Sequence, residues 1–382
     1  MRAAQVAEPR DQAAASTCIA ASPRRIEDLM KRMIALACTV LLAGCTGAAE
    51  DERPRGEASA PTTSELAEKP PTSLTAGWET DFVTHSVPFA EIRPGGPPKD
   101  GIPPIDRPRF VRVEHTRFLA PREPVIAVEV SGEVRAYPIE ILIWHEIVND
   151  EIGGVPLAVT FCPLCNTALV FDRRVDGRTL DFGTTGNLRH SDLVMYDRQT
   201  ESWWQQFGGE GIVGRYTGAR LEQVPARIVA WEDFERSHPE GLVLERPKTH
   251  PLSRNSGFLR PYGENPYEGY DDVDSSPLFQ TANDDDRLSP KERVVFVERG
   301  DEAVAIPFAV LEKRRVVRIV VDGHRLVVRW RGGVSSPLDS DAVGKGRDIG
   351  AAEVFEEGKL IAFDEPFWFA VAAFRPDVHV VG

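Results

Sequence analysis

Cysteine is scarce in this chain. Five occur in 382 residues, Cys18, Cys38, Cys45, Cys162 and Cys165. The first three fall in an amino-terminal stretch with neither the periodicity nor the apolar content of a folded domain. A disulfide-rich secreted scaffold is therefore excluded. Basic charge is also in short supply: 45 Lys and Arg stand against 59 Asp and Glu, for a net charge of −14. Nucleic acid is an unsuitable partner for such a chain, since phosphate binding needs clustered Lys and Arg. The acid is spread out apart from Asp271 to Asp286, and it reads as solubility. Several motifs stop short of completion. No second cysteine pair is present to build a zinc ribbon. Asn166 stands where haem attachment needs His. The Gly183–Gly186 stretch lacks the Lys and spacing of a phosphate loop, and Asp271, Asp272 and Asp274 lack the Gly and terminal Glu of a calcium loop.

What is present begins with the amino terminus. Met30-Lys31-Arg32-Met33 is basic, and Ile34 to Leu42 is apolar except for Thr39. That run is too short to cross a bilayer as a helix and has the length of a signal-peptide core. It ends in Leu42-Ala43-Gly44-Cys45, which resembles the bacterial lipobox. The resemblance implies cleavage before Cys45 and a lipid on that cysteine, which would anchor the chain to a membrane. Residues 30–44 are accordingly expected to be a lipoprotein signal peptide. Residues 1–29 are expected to be an over-extended reading, with translation from Met30 or Met33. Residues 45–77, rich in Pro, Glu, Ser, Thr and Ala, read as a disordered tether. Thr46 follows Cys45 in place of Asp, which by analogy with Gram-negative lipoproteins points to the outer membrane of the cell envelope, facing the periplasm. That compartment is oxidising and permits disulfides.

The remainder divides into a first half (78–246), an acidic, loop-rich connection (247–290) and a second half (291–382). Val125–Val130 and Val134–Tyr137 read as strands around Ser131-Gly132. Ile139, Leu142, Ile143 and Ile147 fall at helical spacing, with Asn149-Asp150 as the stop. Leu157–Phe161 and Ala168–Phe171 read as strands on either side of the cysteine pair, followed by two hairpins. A degenerate internal repeat runs through this pattern. At one constant offset, Val125-Ile126-Ala127-Val128 meets Val294-Val295-Phe296-Val297, Tyr137-Pro138 meets Ile306-Pro307, and Gly154, Leu157, Val159 and Phe161 meet Gly323, Leu326, Val328 and Trp330. The fold class expected is α+β, mainly antiparallel β with a few helices, in two related halves. Opposite Cys162 and Cys165 stand Arg331 and Val334, and opposite His145 stands Arg314, so chemistry is expected in the first half.

The cysteine pair lies in Phe161-Cys162-Pro163-Leu164-Cys165-Asn166-Thr167. Two thiols at this spacing can share a metal, close a small disulfide or shuttle electrons. The residues that follow are β-like, so the pair sits in a strand-to-strand connection and not at the head of a redox helix. His145 and Glu146 are the nearest candidates for further ligands. His145-Glu146-x-x-Asn149 lacks the second His of the zinc-protease helix, and that reading is rejected. His190 and Asp192 could complete a site. The aromatic-Asp-Arg units Phe171-Asp172-Arg173 and Tyr196-Asp197-Arg198 read as hairpin caps before catalytic groups.

Four segments together resemble one family: Trp144–Asp150, Thr160–Cys165, Ser191–Arg198 and Trp231-x-x-Phe234-x-x-x-His238-Pro239. The chain resembles the bacterial and archaeal family of domain of unknown function 3179. The family pattern expects Asn at the position of His190 and Gly at that of Asn166. The resemblance implies no mechanism. The residues leave three readings open: a zinc or copper site on Cys162, Cys165, His145 and Glu146, an envelope thiol–disulfide oxidoreductase, and a non-enzymatic binding module stapled by a disulfide. Mass spectrometry of the native protein is expected to find a lipid-modified Cys45 at the amino terminus. Recovery of any peptide from residues 1–29 would overturn that reading of the start.

Overall fold

A computed structural model describes residues 69–248, 260–281 and 285–382. The expected signal peptide, Cys45 and most of the expected tether lie outside the described residues, as do parts of the acidic connection. The described architecture is mainly antiparallel β with five short α-helices, consistent with an α+β class. None of those helices is long and apolar enough to cross a membrane.

The strands Pro124–Val130 and Glu133–Pro138 pair antiparallel, with Val125 opposite Pro138. Ser131 and Gly132 both adopt positive φ between them, the backbone of a two-residue hairpin turn. The helix Ile139–His145 follows directly. Here the structure corrects the sequence pattern, because the helix stops at His145. Glu146 takes a left-handed φ of 58° and its N–H closes the helix on the Leu142 carbonyl. Ile147 and Asn149 therefore belong to the strand Ile147–Ile152 and not to a longer helix. That strand pairs with Val155–Cys162, which pairs with Thr167–Asp172.

The repeat is visible element by element. Strands Val294–Arg299 and Glu302–Pro307, helix Phe308–Arg314 and strands Val316–Val321 and His324–Arg331 follow in the same order and at the same offset. Arg315 repeats the left-handed turn of Glu146, with φ 62°. Helices Trp231–Ser237 and Trp368–Phe374 also correspond, and each is followed by a short strand that joins its sheet in parallel.

An architecture of two halves is nevertheless corrected. Five sheets of three to five strands suggest a five-bladed, propeller-like arrangement. One apolar core runs through both copies, so that Ile126, Val159 and Phe171 cluster with Val294, Phe296 and Trp368. Sheets of three or four strands cannot bury an apolar face alone, and sharing the core across copies solves this.

The folded part also starts earlier than Trp78. A short helix spans Thr72–Thr75, and Leu74 packs with Phe89, Ile92 and Trp203 while retaining 3% exposure. An apolar side chain can reach a core this close to a polar stretch, which composition alone conceals. Leu74→Ala is expected to cost about 2–3 kcal/mol in denaturant unfolding. A change within error would return this segment to the tether.

Candidate functional site

Two turns build the site. The first joins Val155–Cys162 to Thr167–Asp172, where Cys162 is the last paired residue opposite Thr167 and Asn166 turns the chain with φ 59°. The second joins Phe182–Arg189 to Asp192–Asp197. His190 and Ser191 both take positive φ there, and Arg189 faces Asp192 across the turn. Asp192 is thus delivered as the first residue after a tight hairpin. The two turns meet, so that Cys162, Cys165 and Asp192 place their donor atoms within 4.8 Å of one another, all buried. Neither cysteine is in a disulfide.

The contacts within the cluster are specific. Cys165 Sγ donates to Asp192 Oδ1 at 2.8 Å and lies 3.0 Å from Thr167 Oγ1. Cys162 Sγ lies 3.9 Å from the Ser191 carbonyl. The other carboxylate oxygen, Asp192 Oδ2, accepts from the Gln205 amide and from the Phe207 N–H at 2.8 Å. These two donors orient the carboxylate so that Oδ1 faces the sulfurs. Gln206 braces the base of the site, donating to Thr160 Oγ1 and accepting from Thr167.

Burial dominates the electrostatics. It pushes the Cys162 thiol up and the Cys165 thiol well above its ordinary range, with Asp192 adding to both. Burial also raises Asp192 itself, against the opposing hydrogen bonds from Cys165, Phe207 and Gln205. The Glu146 carboxyl is pushed up to about 8 by burial and by Asp192, and it acts electrostatically on Cys162.

The expected site residues are therefore only partly brought together. Cys162, Cys165 and Asp192 cluster, while Glu146 is outside the cluster and acts on Cys162 only electrostatically. His145 is not in the cluster: its ring contacts the Pro103 carbonyl at 2.8 Å and the Tyr262 hydroxyl at 2.7 Å. The cause is the left-handed turn at Glu146, which separates these neighbours instead of aligning them on one helical face. His190 is likewise turned away. Its Nε2 lies 3.2 Å from Glu91 and its ring meets Phe374 edge-on. Asp197 accepts from the Thr200 N–H and hydroxyl and from the Trp204 indole, which is a turn-capping role. Arg198 pairs with Asp106 at 2.8 Å.

Other contributors went unread in the sequence. The second copy walls in the cysteine turn. Phe367 N–H donates to the Cys165 carbonyl at 2.9 Å, the Asn166 amide donates to the Glu365 carbonyl at 2.7 Å, and Arg293 donates to Asn166 Oδ1 at 2.6 Å. The Ala168 N–H donates to Asp364 Oδ1 at 3.0 Å. The acidic connection covers the same turn, with the Tyr270 hydroxyl on the Leu164 carbonyl at 3.0 Å and Ser191 Oγ on the Phe279 carbonyl at 2.9 Å. Sequence offered one signal for these groups, namely polar residues inside otherwise apolar runs, such as Asp364-Glu365 between Phe363 and Phe367.

A family model described as protein of unknown function (DUF3179) matches residues 99–378. The chain belongs to this family. No curated protein and no solved structure matches it. The match spans both copies and the connection, so the DUF3179 unit includes the walls of the site as well as the cysteine turn.

Burial has a consequence for pH. Asp364 is held up to about 8 and Glu365 to about 7, both by burial. A carboxyl whose folded value lies above its unfolded value binds its proton more tightly when folded. Its stabilising contribution is complete below the unfolded value, 3.8 for Asp364, and is lost as pH rises through about 8. Denaturant unfolding is expected to show stability falling across that window, and Asp364→Asn is expected to flatten the fall. A profile that rises with pH, or is unchanged in the variant, contradicts this assignment.

Proposed function

We propose that the chain is a lipid-anchored cell-envelope protein whose Cys162, Cys165 and Asp192 hold a metal ion, zinc ahead of copper. The observation that carries this reading is the buried convergence of two thiols and one carboxylate within 4.8 Å. Thiolates select soft and borderline ions, and a carboxylate as third donor favours zinc over copper(I). The donor set fits. Donors around a tetrahedral zinc stand about 3.3–3.8 Å apart at bond lengths near 2.0–2.3 Å, so the widest pair has only to draw in slightly. Gln205 and the Phe207 N–H already fix the carboxylate, as outer-shell partners of metal ligands do. Glu146, which acts electrostatically on Cys162, is the nearest further acidic group, outside the three-donor cluster.

The other two readings find less support. An oxidoreductase needs a low thiol pKa and an accessible sulfur. Here burial raises both thiols, and Cys162 and Cys165 are 1% and 0% exposed. A disulfide staple has to contend with two free thiols, one of them already bonded to Asp192. The amino-terminal lipid supplies the proposed membrane contact, and its basis remains the Leu42–Cys45 segment. No nucleic-acid partner is proposed.

Metal analysis of protein purified under reducing conditions is expected to find about one zinc per chain. Gln205→Leu is expected to weaken zinc binding by about 10–100-fold, and Asp192→Asn by at least as much, while His145→Ala leaves affinity unchanged. Absence of stoichiometric metal in reduced wild-type protein overturns the proposal.

A further inference from the structure

A second feature lies close to this centre, sharing Phe207 with it. A cleft of about 240 Å³ opens between the two copies, with Phe207, Phe296 and Phe363 among its walls. Its size falls below the usual range of pockets for drug-sized ligands, about 300–1,000 Å³. Three polar groups on its lining are unusual. Arg220 and Arg299 reach acidic partners only at long range, 3.7 Å to Glu298 and 3.9 Å to Glu356. Neither guanidinium donates a hydrogen bond among the described residues. Glu298 is itself engaged by Arg375. The third group is Asp364, 5% exposed. Its Oδ1 accepts from the Ala168 and Glu365 N–H groups, and its Oδ2 is buried without a partner among the described residues.

A buried polar oxygen without a partner costs on the order of 1–3 kcal/mol, and such an atom on a cleft wall points to something that pairs with it. Two guanidiniums near the mouth, both more exposed than Asp364, favour a carboxylate, which they can grip through paired N–H donors. The Phe207 and Phe296 rings, 5.4 Å apart on the same wall, suit an apolar or aromatic body. We propose that this cleft binds a small organic anion with a carboxylate at one end, a planar apolar middle and a carbonyl oxygen at the other. The carboxylate meets Arg220 and Arg299, and the carbonyl accepts a hydrogen bond from the protonated Asp364 carboxyl. Burial, which holds that carboxyl near 8, keeps the proton in place at neutral pH.

The probe is 4-acetylbenzoate, titrated into the full chain and followed by ligand-observed NMR, with benzoate and acetophenone as controls. Saturable binding of 4-acetylbenzoate is expected, about fivefold or more tighter than benzoate, which lacks the carbonyl. Arg220→Ala and Arg299→Ala should each weaken both carboxylates about tenfold or more and leave acetophenone unaffected. Asp364→Ala should erase the preference for the acetyl group, while Asp364→Asn, whose amide still donates, should keep it. Arg220 is 57% exposed, so its variant is expected to fold even if Asp364→Ala does not. No saturable binding at millimolar concentration, or binding indifferent to both arginine variants, overturns the proposal. The titration needs no metal, so its failure leaves the Cys162–Cys165–Asp192 reading standing, and the converse also holds.

Discussion

The structure turns on a surplus of buried acid with little buried cation to balance it. Cys162, Cys165, Glu146, Asp192, Asp364 and Glu365 can each give up a proton, and all are buried. The buried cation beside them, Arg293, donates to Asn166 and keeps its Nε unpartnered. A low-dielectric interior cannot hold so many anions, so each must keep its proton, be hydrogen-bonded as an anion, or share a bound cation. The hydrogen bonds select the exception. Asp192 accepts from Gln205, Phe207 and Cys165, donors that favour its charged form against the burial that raises it. The thiols are the opposite case, held protonated by burial and by that same carboxylate. Metal binding would exchange thiol protons for positive charge beside a carboxylate whose donors are already in place.

The duplication explains how so polar a centre can sit inside an apolar fold. The second copy lost the reactive side chains, with Arg331 and Val334 opposite the cysteines, but kept the strand–strand–helix–strand–strand order. The segment just before its last helix, Asp364 to Phe367, closes the site. The Phe367 N–H, the Glu365 carbonyl and the Asp364 carboxyl satisfy the polar groups of the cysteine turn that would otherwise be stranded in the core. A single copy would leave these groups to water, and the thiols would then titrate in a wetter place with values nearer their ordinary range. The acidic connection adds a cover through Tyr270 and Phe279, so its role is not only to span between copies.

How much of this was legible follows from what a local pattern can report. The cysteine pair in a strand connection was readable because Thr167, Val170 and Phe171 favour a strand and a turn follows soon after. The repeat was readable because apolar positions recur at one offset. The shared core was not, since periodicity tells which face is apolar and not which sheet will cover it. The ligand set was misjudged for a similar reason. His145 lies near the cysteines in the chain, but the left-handed Glu146 diverts it towards Pro103 and Tyr262. Asp192, farther along, arrives through a hairpin whose two turn residues, His190 and Ser191, carry no Gly or Asn to announce positive φ. His190, weighed as a possible site residue beside its reading as a capping loop, is a turn residue that faces Glu91.

Burial also constrains what kind of site this can be. With the sulfurs inaccessible to a protein-sized partner, an exchange reaction on them would require opening the turn from beneath Tyr270, Phe367 and Glu365. Those contacts come from separate segments of the chain, and losing one does not release the others. A metal held under such a cover belongs to the folded state itself, and its affinity is inseparable from the stability of the walls. The adjoining cleft is different in kind. Its guanidiniums reach solvent, it is open to small molecules, and it touches the centre through Phe207 and through the Ala168–Asp364 contact. The division is therefore between a sealed centre that sets local charge and an open cleft that can sample ligands, with Phe207 and Asp364 common to both environments.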